Sequence, residues 1–134
     1  MKVAKQTAVS IESNVSFSQV DILKQFEVQD RWDVIVSNPP YVLEEERPQI
    51  HANVLEYEPH LALFSSKEDP IQFYRAVIQF AKLHLNPGGR LYFELNPNTA
   101  KAVISLLKTT DFVDIVVEND MQNQTRMLVA KTKK

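Results

Sequence analysis

The chain has 134 residues and no cysteine, which excludes disulfides and thiolate metal sites and suits one domain with its own core. An apolar fraction of 44% is ordinary for a globular protein, and a net charge of −2 gives no broad basic footprint for nucleic acid. No apolar run reaches the length of a membrane span, and the first residues lack a signal-peptide core, so the expected location is the cytoplasm, with no membrane partner.

Residues 2–12 carry Val3, Ala4, Ala8 and Ile11 as a weak helical stripe, with Asn14 suited to its end. Residues 15–20 alternate like a strand and stop at Asp21; residues 22–31 read as a short turn or helix. Residues 33–37 follow as a buried strand, with β-branched Val34, Ile35 and Val36 in succession. That run ends at Asn38-Pro-Pro-Tyr41, where two prolines without N–H groups forbid further sheet pairing. Asn38 and Pro39 each precede a proline and are pushed to extended conformations, so a stiff loop is expected at the carboxyl end of a strand. Ligands of open α/β sheets bind at that edge.

Residues 43–58 are polar and irregular, with three consecutive acids, Glu44 to Glu46, and lead into Tyr57-Glu-Pro-His-Leu-Ala-Leu-Phe64. So long a loop in a compact domain signals function or disorder. Asp69-Pro70 opens a helix with an apolar face of Ile71, Val77, Ile78, Ala81 and Leu85 plus the amphipathic Tyr74, and Asn86-Pro-Gly-Gly89 stops it. Residues 90–95 form a strand, Asn96-Pro-Asn98 a break, and residues 99–109 a second helix containing Val103, Ile104 and Leu107. Residues 113–117 and 127–130 are the last strands, with a hairpin turn between. Alternation with right-handed crossovers predicts an α/β sheet that finishes in an antiparallel hairpin.

The Asn38 loop suits one chemistry. A planar nitrogen, in an amide or aromatic amine, is a poor nucleophile because its lone pair is delocalised. Asn38 Oδ1 and the Pro39 carbonyl can accept from its two N–H groups and orient it toward an electrophilic methyl group. Those bonds strengthen as the nitrogen becomes tetrahedral, so no acid–base residue is required. Tyr41 can cover the flat substrate by stacking. The plainer alternative is a rigid turn with an exposed tyrosine.

Taken together, Ser37-Asn-Pro-Pro-Tyr-Val42, Tyr57-Glu-Pro-His-Leu-Ala-Leu-Phe64, Phe73-Tyr-Arg75 and Asn86-Pro-Gly-Gly89 before Phe93-Glu-Leu95 resemble the release-factor glutamine methyltransferases of the HemK type. Asn-Pro-Pro-Tyr alone is shared with adenine and guanine amino-methyltransferases; the Tyr-Glu-Pro segment is more specific. The resemblance implies S-adenosylmethionine as cofactor and the side-chain amide of a release-factor glutamine as methyl acceptor. It makes Asn38, Pro39 and Tyr41 the catalytic positions, with Pro40, Glu58 and Pro59 completing the substrate pocket. Asp21 and Asn38 would face the cofactor, and Arg126 matches an arginine of the terminal hairpin.

The chain departs from that pattern in its cofactor loop. Its two glycines, Gly88 and Gly89, both lie at the helix stop, and neither a glycine-rich turn after a first strand nor an acid after a second has a match. The resemblance therefore implies one partial catalytic domain over residues 1–134. It would be a truncated Rossmann-like α/β sheet lacking its first two strands, without the family's N-terminal substrate domain.

Plainer roles remain for several residues. Asp21 can cap the following turn, Glu58 can brace the long loop, and Glu44 to Glu46 read as a solvated face. Trp32, Phe73 and Phe80 read as core, and His51, His60 and His84 are too scattered to share a metal. Lys131, Lys133 and Lys134 read as a frayed basic tail. Two functions compete with glutamine methylation. A nucleic-acid amino-methyltransferase would need a basic groove and a flipped base, which the charge disfavours. A non-catalytic fragment would bury its uncovered strand edges by forming a homo-oligomer.

Overall fold

Three successive β-branched residues commit the chain to a strand, β1 (Trp32–Ser37), and every later strand is ordered by reference to it. In the computed structural model, which describes residues 1–24, 26 and 28–133, the remaining strands are β2 (Leu85–Glu94), β3 (Val113–Asn119) and β4 (Thr125–Lys131). The helices are α1 (Lys2–Ser10), α2 (Ala52–Tyr57), α3 (His60–Leu63), α4 (Gln72–His84) and α5 (Ala100–Lys108), with a turn of 3-10 helix at Glu44–Gln49. The sheet runs β1-β2-β4-β3. β1 and β2 are parallel, joined through α4, and the β3–β4 hairpin adds antiparallel beyond them. The mixed α/β sheet with a terminal hairpin expected from the sequence is thus present.

Register divides the sheet into two unlike faces. Ile35, Leu91 and Ala130 lie in one row, and Ser37, Phe93, Leu128 and Val117 in the next row on the same face. This face is covered: Tyr74, Val77, Ile78 and Ala81 of α4 and Ala100, Val103 and Leu107 of α5 are buried on it with Leu91, Phe93 and Leu128. The intervening row of Val36, Tyr92, Val129 and Val116 faces the other way, where Val36 is 75% and Val116 47% exposed. Among the described residues no strand pairs with the outer edge of β1.

Local chemistry sets the element ends. α1 closes in a Schellman arrangement: Ser13 N–H donates to Ala8 O (2.9 Å), Glu12 N–H to Val9 O (3.1 Å), and Glu12 takes φ 51°. The stop therefore falls before Asn14. Asp69 and Pro70 form the turn before α4 rather than its first residues: Asp69 Oδ1 accepts from Ile71 N (3.3 Å) and Asp69 O from Gln72 N (3.1 Å), and Ile71 takes the N-cap position without a side-chain bond. The Asn86-Pro-Gly-Gly segment is not the stop of α4: the helix ends at His84 and passes directly into β2 at Leu85, so Leu85 belongs to the strand and the segment lies inside it. It makes a bulge between the Trp32–Leu85 and Val34–Arg90 pairs. Gly88 adopts φ 77° there, and Asn86 Nδ2 donates to Asp33 Oδ1 (2.9 Å). At Gly89 a Cβ would stand 2.9 Å from Asn86 O and 3.1 Å from Asp33 O, so the backbones approach too closely for any side chain.

Two regions differ from expectation. Residues 15–20 alternate but form no strand; a ladder needs a neighbour for its N–H and C=O groups, and alternation cannot supply one. The polar segment after Tyr41 is more ordered than its composition suggests, folding into the 3-10 turn, α2 and α3. Among the described residues no helix is long and apolar enough to cross a membrane.

Gly89→Ala is expected to destabilise the chain by about 1–3 kcal/mol, the usual range for overpacking. The added methyl must displace backbone of β1 or of the bulge. Urea unfolding followed by circular dichroism measures it, and an unchanged midpoint would show that the bulge yields freely.

Candidate functional site

β1 and β2 pair as far as Ser37 and Phe93, and then β1 meets Asn38-Pro-Pro. The chain leaves the sheet at its carboxyl edge because Pro39 and Pro40 have no N–H to extend the ladder. Pro39 is buried, Pro40 and Tyr41 are half-buried and Asn38 is exposed. One residue later the chain is caught again: Val42 N–H donates to Leu63 O (2.9 Å), and Ser65 N–H donates to Val42 O (3.0 Å). The Tyr57-to-Phe64 segment thus folds back along the loop through α3. Asn38, Pro39, Tyr41 and Val42 line a recess of about 120 Å³ with Ala62 and Leu63.

Tyr41 is held at both ends. Its hydroxyl donates to Glu94 Oε1 (2.5 Å), and its carbonyl accepts from Asn96 Nδ2 (3.0 Å). Burial, together with the bond to Glu94 and its negative charge, pushes the Tyr41 phenol up to about 12, with Arg126 opposing the rise. Burial also raises the Tyr74 phenol, which donates to the Glu94 carbonyl (2.9 Å). Arg126 lies alongside. Its Nε donates to Asp120 Oδ2 (3.1 Å) and a terminal nitrogen donates to Leu95 O (3.3 Å). The Gln124 N–H, with Arg126, holds the Asp120 carboxyl below its ordinary value.

Glu46 joins this arrangement from the 3-10 turn. One carboxylate oxygen accepts from Leu43 N (2.8 Å) and Asn96 Nδ2 (2.6 Å), and the other from Asn98 Nδ2 (2.6 Å). Asn96 is 3% exposed, and its Oδ1 accepts from Asn98 N (2.8 Å). By contrast, among the described residues neither the Asn38 side chain nor the Pro39 carbonyl takes part in a hydrogen bond.

The structure gathers only part of the sequence-derived set. Asn38, Pro39 and Tyr41 meet in the recess, Pro40 sits between them, and Arg126 comes to the same edge. Glu58 and Pro59 are exposed at the α2–α3 junction, where Glu58 N–H closes α2 on Val54 O (3.0 Å); they reach the recess only through the helix they precede. Asp21 caps its own turn, accepting from Leu23 N (3.1 Å) and pairing with Lys24 at 3.4 Å. That turn lies against α4, where Ile22 and Phe26 share a hollow with Ala76 and Phe80, so the described contacts do not join Asp21 to Asn38. Gly88 and Gly89 are absorbed by the bulge. The described residues therefore bring Asn38, Pro39 and Tyr41 together, while Asp21 and the two glycines lie elsewhere. Among them no group of three or more His, Asp or Glu is placed to hold a metal.

Glu46, Glu94 and Asn96 were missed from the sequence. Glu46 is hidden among three acids, and Glu94 reads as the polar member of an alternating strand. Asn96 carried a faint signal, since a polar residue directly after a buried strand has to satisfy its amide somewhere.

No protein-family model matches the chain. It is 40% identical over 125 residues to a release factor glutamine methyltransferase of Flavobacterium psychrophilum, a match covering 93% of this chain and 44% of the relative. Another from Bacteroides thetaiotaomicron is 37% identical over 131 residues, covering 97% and 47%. The chain thus spans less than half the length of these relatives. Among solved structures it resembles a methyltransferase from Pyrococcus furiosus, with a TM-score of 0.63, 16% identity and coverage of 99% of this chain and 57% of that one. It also resembles the N-methyltransferase NodS from Bradyrhizobium japonicum WM9, with a TM-score of 0.54, 20% identity and coverage of 99% and 69%. In fold the chain is part of a methyltransferase α/β sheet. In sequence it is similar, over nearly all its length, to part of the release factor glutamine methyltransferases, which bears out the resemblance carried by Asn-Pro-Pro-Tyr and Tyr-Glu-Pro.

Tyr41→Phe is expected to remove one late-titrating phenol, read as phenolate absorbance near pH 12. The sign follows from a folded value raised above the unfolded value of about 10. The protonated phenol's contribution to stability is whole below pH 10 and is lost as pH rises toward 12. The variant should lack that part of the alkaline fall in stability; loss of a phenol titrating near pH 10 instead would show that Tyr41 ionises like a free tyrosine.

Proposed function

We propose that this chain provides the acceptor-gripping part of a methyltransferase that methylates the side-chain amide nitrogen of a glutamine in peptide-chain release factors. The observation that carries the reading is the contrast in the recess. Around Asn38 and Pro39 the neighbouring polar groups are satisfied within the chain, while Asn38 Oδ1 and the Pro39 carbonyl are left to accept from something else. A carboxamide presents two N–H donors to two such acceptors and is flat enough to lie beside Tyr41. The similarity to release factor glutamine methyltransferases, across the same loop, favours a protein glutamine over a nucleic-acid base, and the net charge of −2 favours it further.

The residues act by orientation. Accepting from both N–H groups fixes the amide plane and the approach of its nitrogen, and the bonds tighten as that nitrogen loses planarity. Glu94 keeps Tyr41 facing the recess. S-adenosylmethionine would supply the electrophilic methyl group when bound. In a protein that joins these residues to a glycine-rich cofactor loop, Asn38→Ala should lower turnover about a hundredfold or more, with cofactor affinity little changed. Near-normal turnover would take the role away from Asn38. The same protein should methylate a release-factor domain and not duplex DNA; methyl transfer to adenine alone would favour the nucleic-acid reading.

For the chain alone, weak or absent S-adenosylmethionine binding is expected, since neither Asp21 nor the glycines stand beside Asn38. Calorimetric titration is the direct test, and a one-to-one isotherm at micromolar affinity would show a complete cofactor site.

One observation favours a second reading, self-association of the chain. Val34 is 51% and Val36 75% exposed on a strand whose outer edge is unpaired among the described residues, and such edges recruit partners. Light scattering should give a mass near twice 15.4 kDa, reduced by Val36→Lys. A single 15.4 kDa species at all concentrations would refute it.

A further inference from the structure

We propose that Glu46 is a positioning residue for the Asn38–Tyr41 loop, acting through Asn96. The proposal rests on the reading that this loop grips the acceptor amide, and it adds the part that holds the grip in place. After β1 the loop has no sheet ladder to fix it, and Pro39 and Pro40 contribute no donors. Its backbone is tied to the rest of the fold on two sides. Val42 is bound to the α3 segment, and the Tyr41 carbonyl is bound to Asn96. Asn96 can hold Tyr41 only while its own amide is fixed. Its Oδ1 accepts from Asn98 N and its Nδ2 is shared between the Tyr41 carbonyl and Glu46. Glu46 also accepts from Asn98 Nδ2 and from Leu43 N–H, two residues after Tyr41. One carboxylate therefore binds the chain on the far side of Tyr41 and both asparagines of the loop that follows β2.

The charge and the acceptor count both matter. A carboxylate accepts on two oxygens and has no donor, and here all three contacts are N–H groups. A glutamine in its place would put an NH2 against an N–H donor of Asn96 or Asn98. The contact to Asn98 can be reversed, because an aspartate there accepts where asparagine donates. E46Q removes the anionic acceptor and makes Asn98 turn its amide to bring its own oxygen to the new NH2, N98D alone leaves carboxylate facing carboxylate, and E46Q/N98D restores a charged contact with its polarity inverted.

The test is amide exchange and side-chain amide NMR on the 134-residue chain. E46Q should raise the exchange rate of the Leu43 amide about tenfold, the effect of weakening one charged hydrogen bond, and should shift the Asn38 and Asn96 side-chain signals. Leu91 and Leu128 amides should exchange as before, which separates a local loss of positioning from general destabilisation. N98D should act in the same direction, and E46Q/N98D should return Leu43 to within about twofold of the parent chain. Unmoved Asn38 signals in E46Q would overturn the proposal, as would an exchange increase spread equally to Leu91. A double variant no better than the worse single one would also overturn it; if E46Q alone does not fold, the double variant folding supports the proposal and its failing to fold overturns it. A glutamine-containing peptide added to the parent chain tests the underlying reading separately. Absence of any Asn38 shift would sink the amide grip while leaving the exchange result on Glu46 to stand.

Discussion

Everything at the candidate site follows from where backbone pairing is forced to stop. β1 is in register with β2 until Ser37, and beyond Asn38 the next two residues are prolines with no N–H to donate. The ladder must end there, whatever follows. The chain emerges at the carboxyl edge of the sheet with its carbonyls unmatched and its geometry restricted by two successive residues that precede proline. A loop built this way is stiff but poorly anchored. Its anchoring comes from side chains on β2 and its continuation, which reach the same edge because the two strands run parallel. Glu94 takes the Tyr41 hydroxyl, and Asn96 takes the Tyr41 carbonyl.

The sheet is covered by α4 and α5 on one face, and on the other it presents the row from Val36 to Val116. This asymmetry explains why the apolar residues of β1 are not a uniform buried run. Ile35 packs with the core while Val34 and Val36 do not. A groove of about 630 Å³ runs along that open face from Asn38 past Glu94 and Arg126, nearly all of its floor apolar. The smaller recess on the other side of Asn38 is the one Tyr41 and Pro39 share. The two hollows have different character: the large one is a sheet face without a covering layer, and the small one is bounded by a loop anchored through Tyr41 and Val42.

Much of this was legible from the sequence. Two prolines in a row after Val34-Ile-Val identify both the strand and its end, because no other arrangement satisfies the missing donors. The apolar spacing of α4 survives from Tyr74 to Ala81 and that of α5 at Val103 and Leu107, since periodicity reports a face buried within one element, while Leu85 passes to β2. Residues 15–20 failed for the complementary reason: alternation describes the strand and not its neighbour. The Glu46 clamp was invisible because it depends on two separated stretches meeting, residues 41–46 and 96–98, and nothing in Glu44-Glu-Glu46 distinguishes the acid that turns inward. Asp21 was ambiguous in sequence, and its side chain has a local partner in its own turn.

The pairing around Tyr41 also bears on selectivity between acceptors. A loop that grips a weak nucleophile gains nothing from having additional acceptors nearby, since any exposed carboxylate would compete for the same N–H groups and pull the amide out of line. Two carboxylates, Glu46 and Glu94, stand close to the loop; Glu46 is engaged through both oxygens and Glu94 through Oε1. Glu94 takes one short bond from Tyr41, while Glu46 takes three N–H groups. Their charge serves to order the loop, and the proposed contact with an acceptor amide falls to the neutral Asn38 and Pro39 oxygens. Neutral acceptors suit the proposed amide, because they orient its N–H groups without the stronger charge-assisted bond a carboxylate would make. The acids next to the site are thus better understood as its frame than as its chemistry.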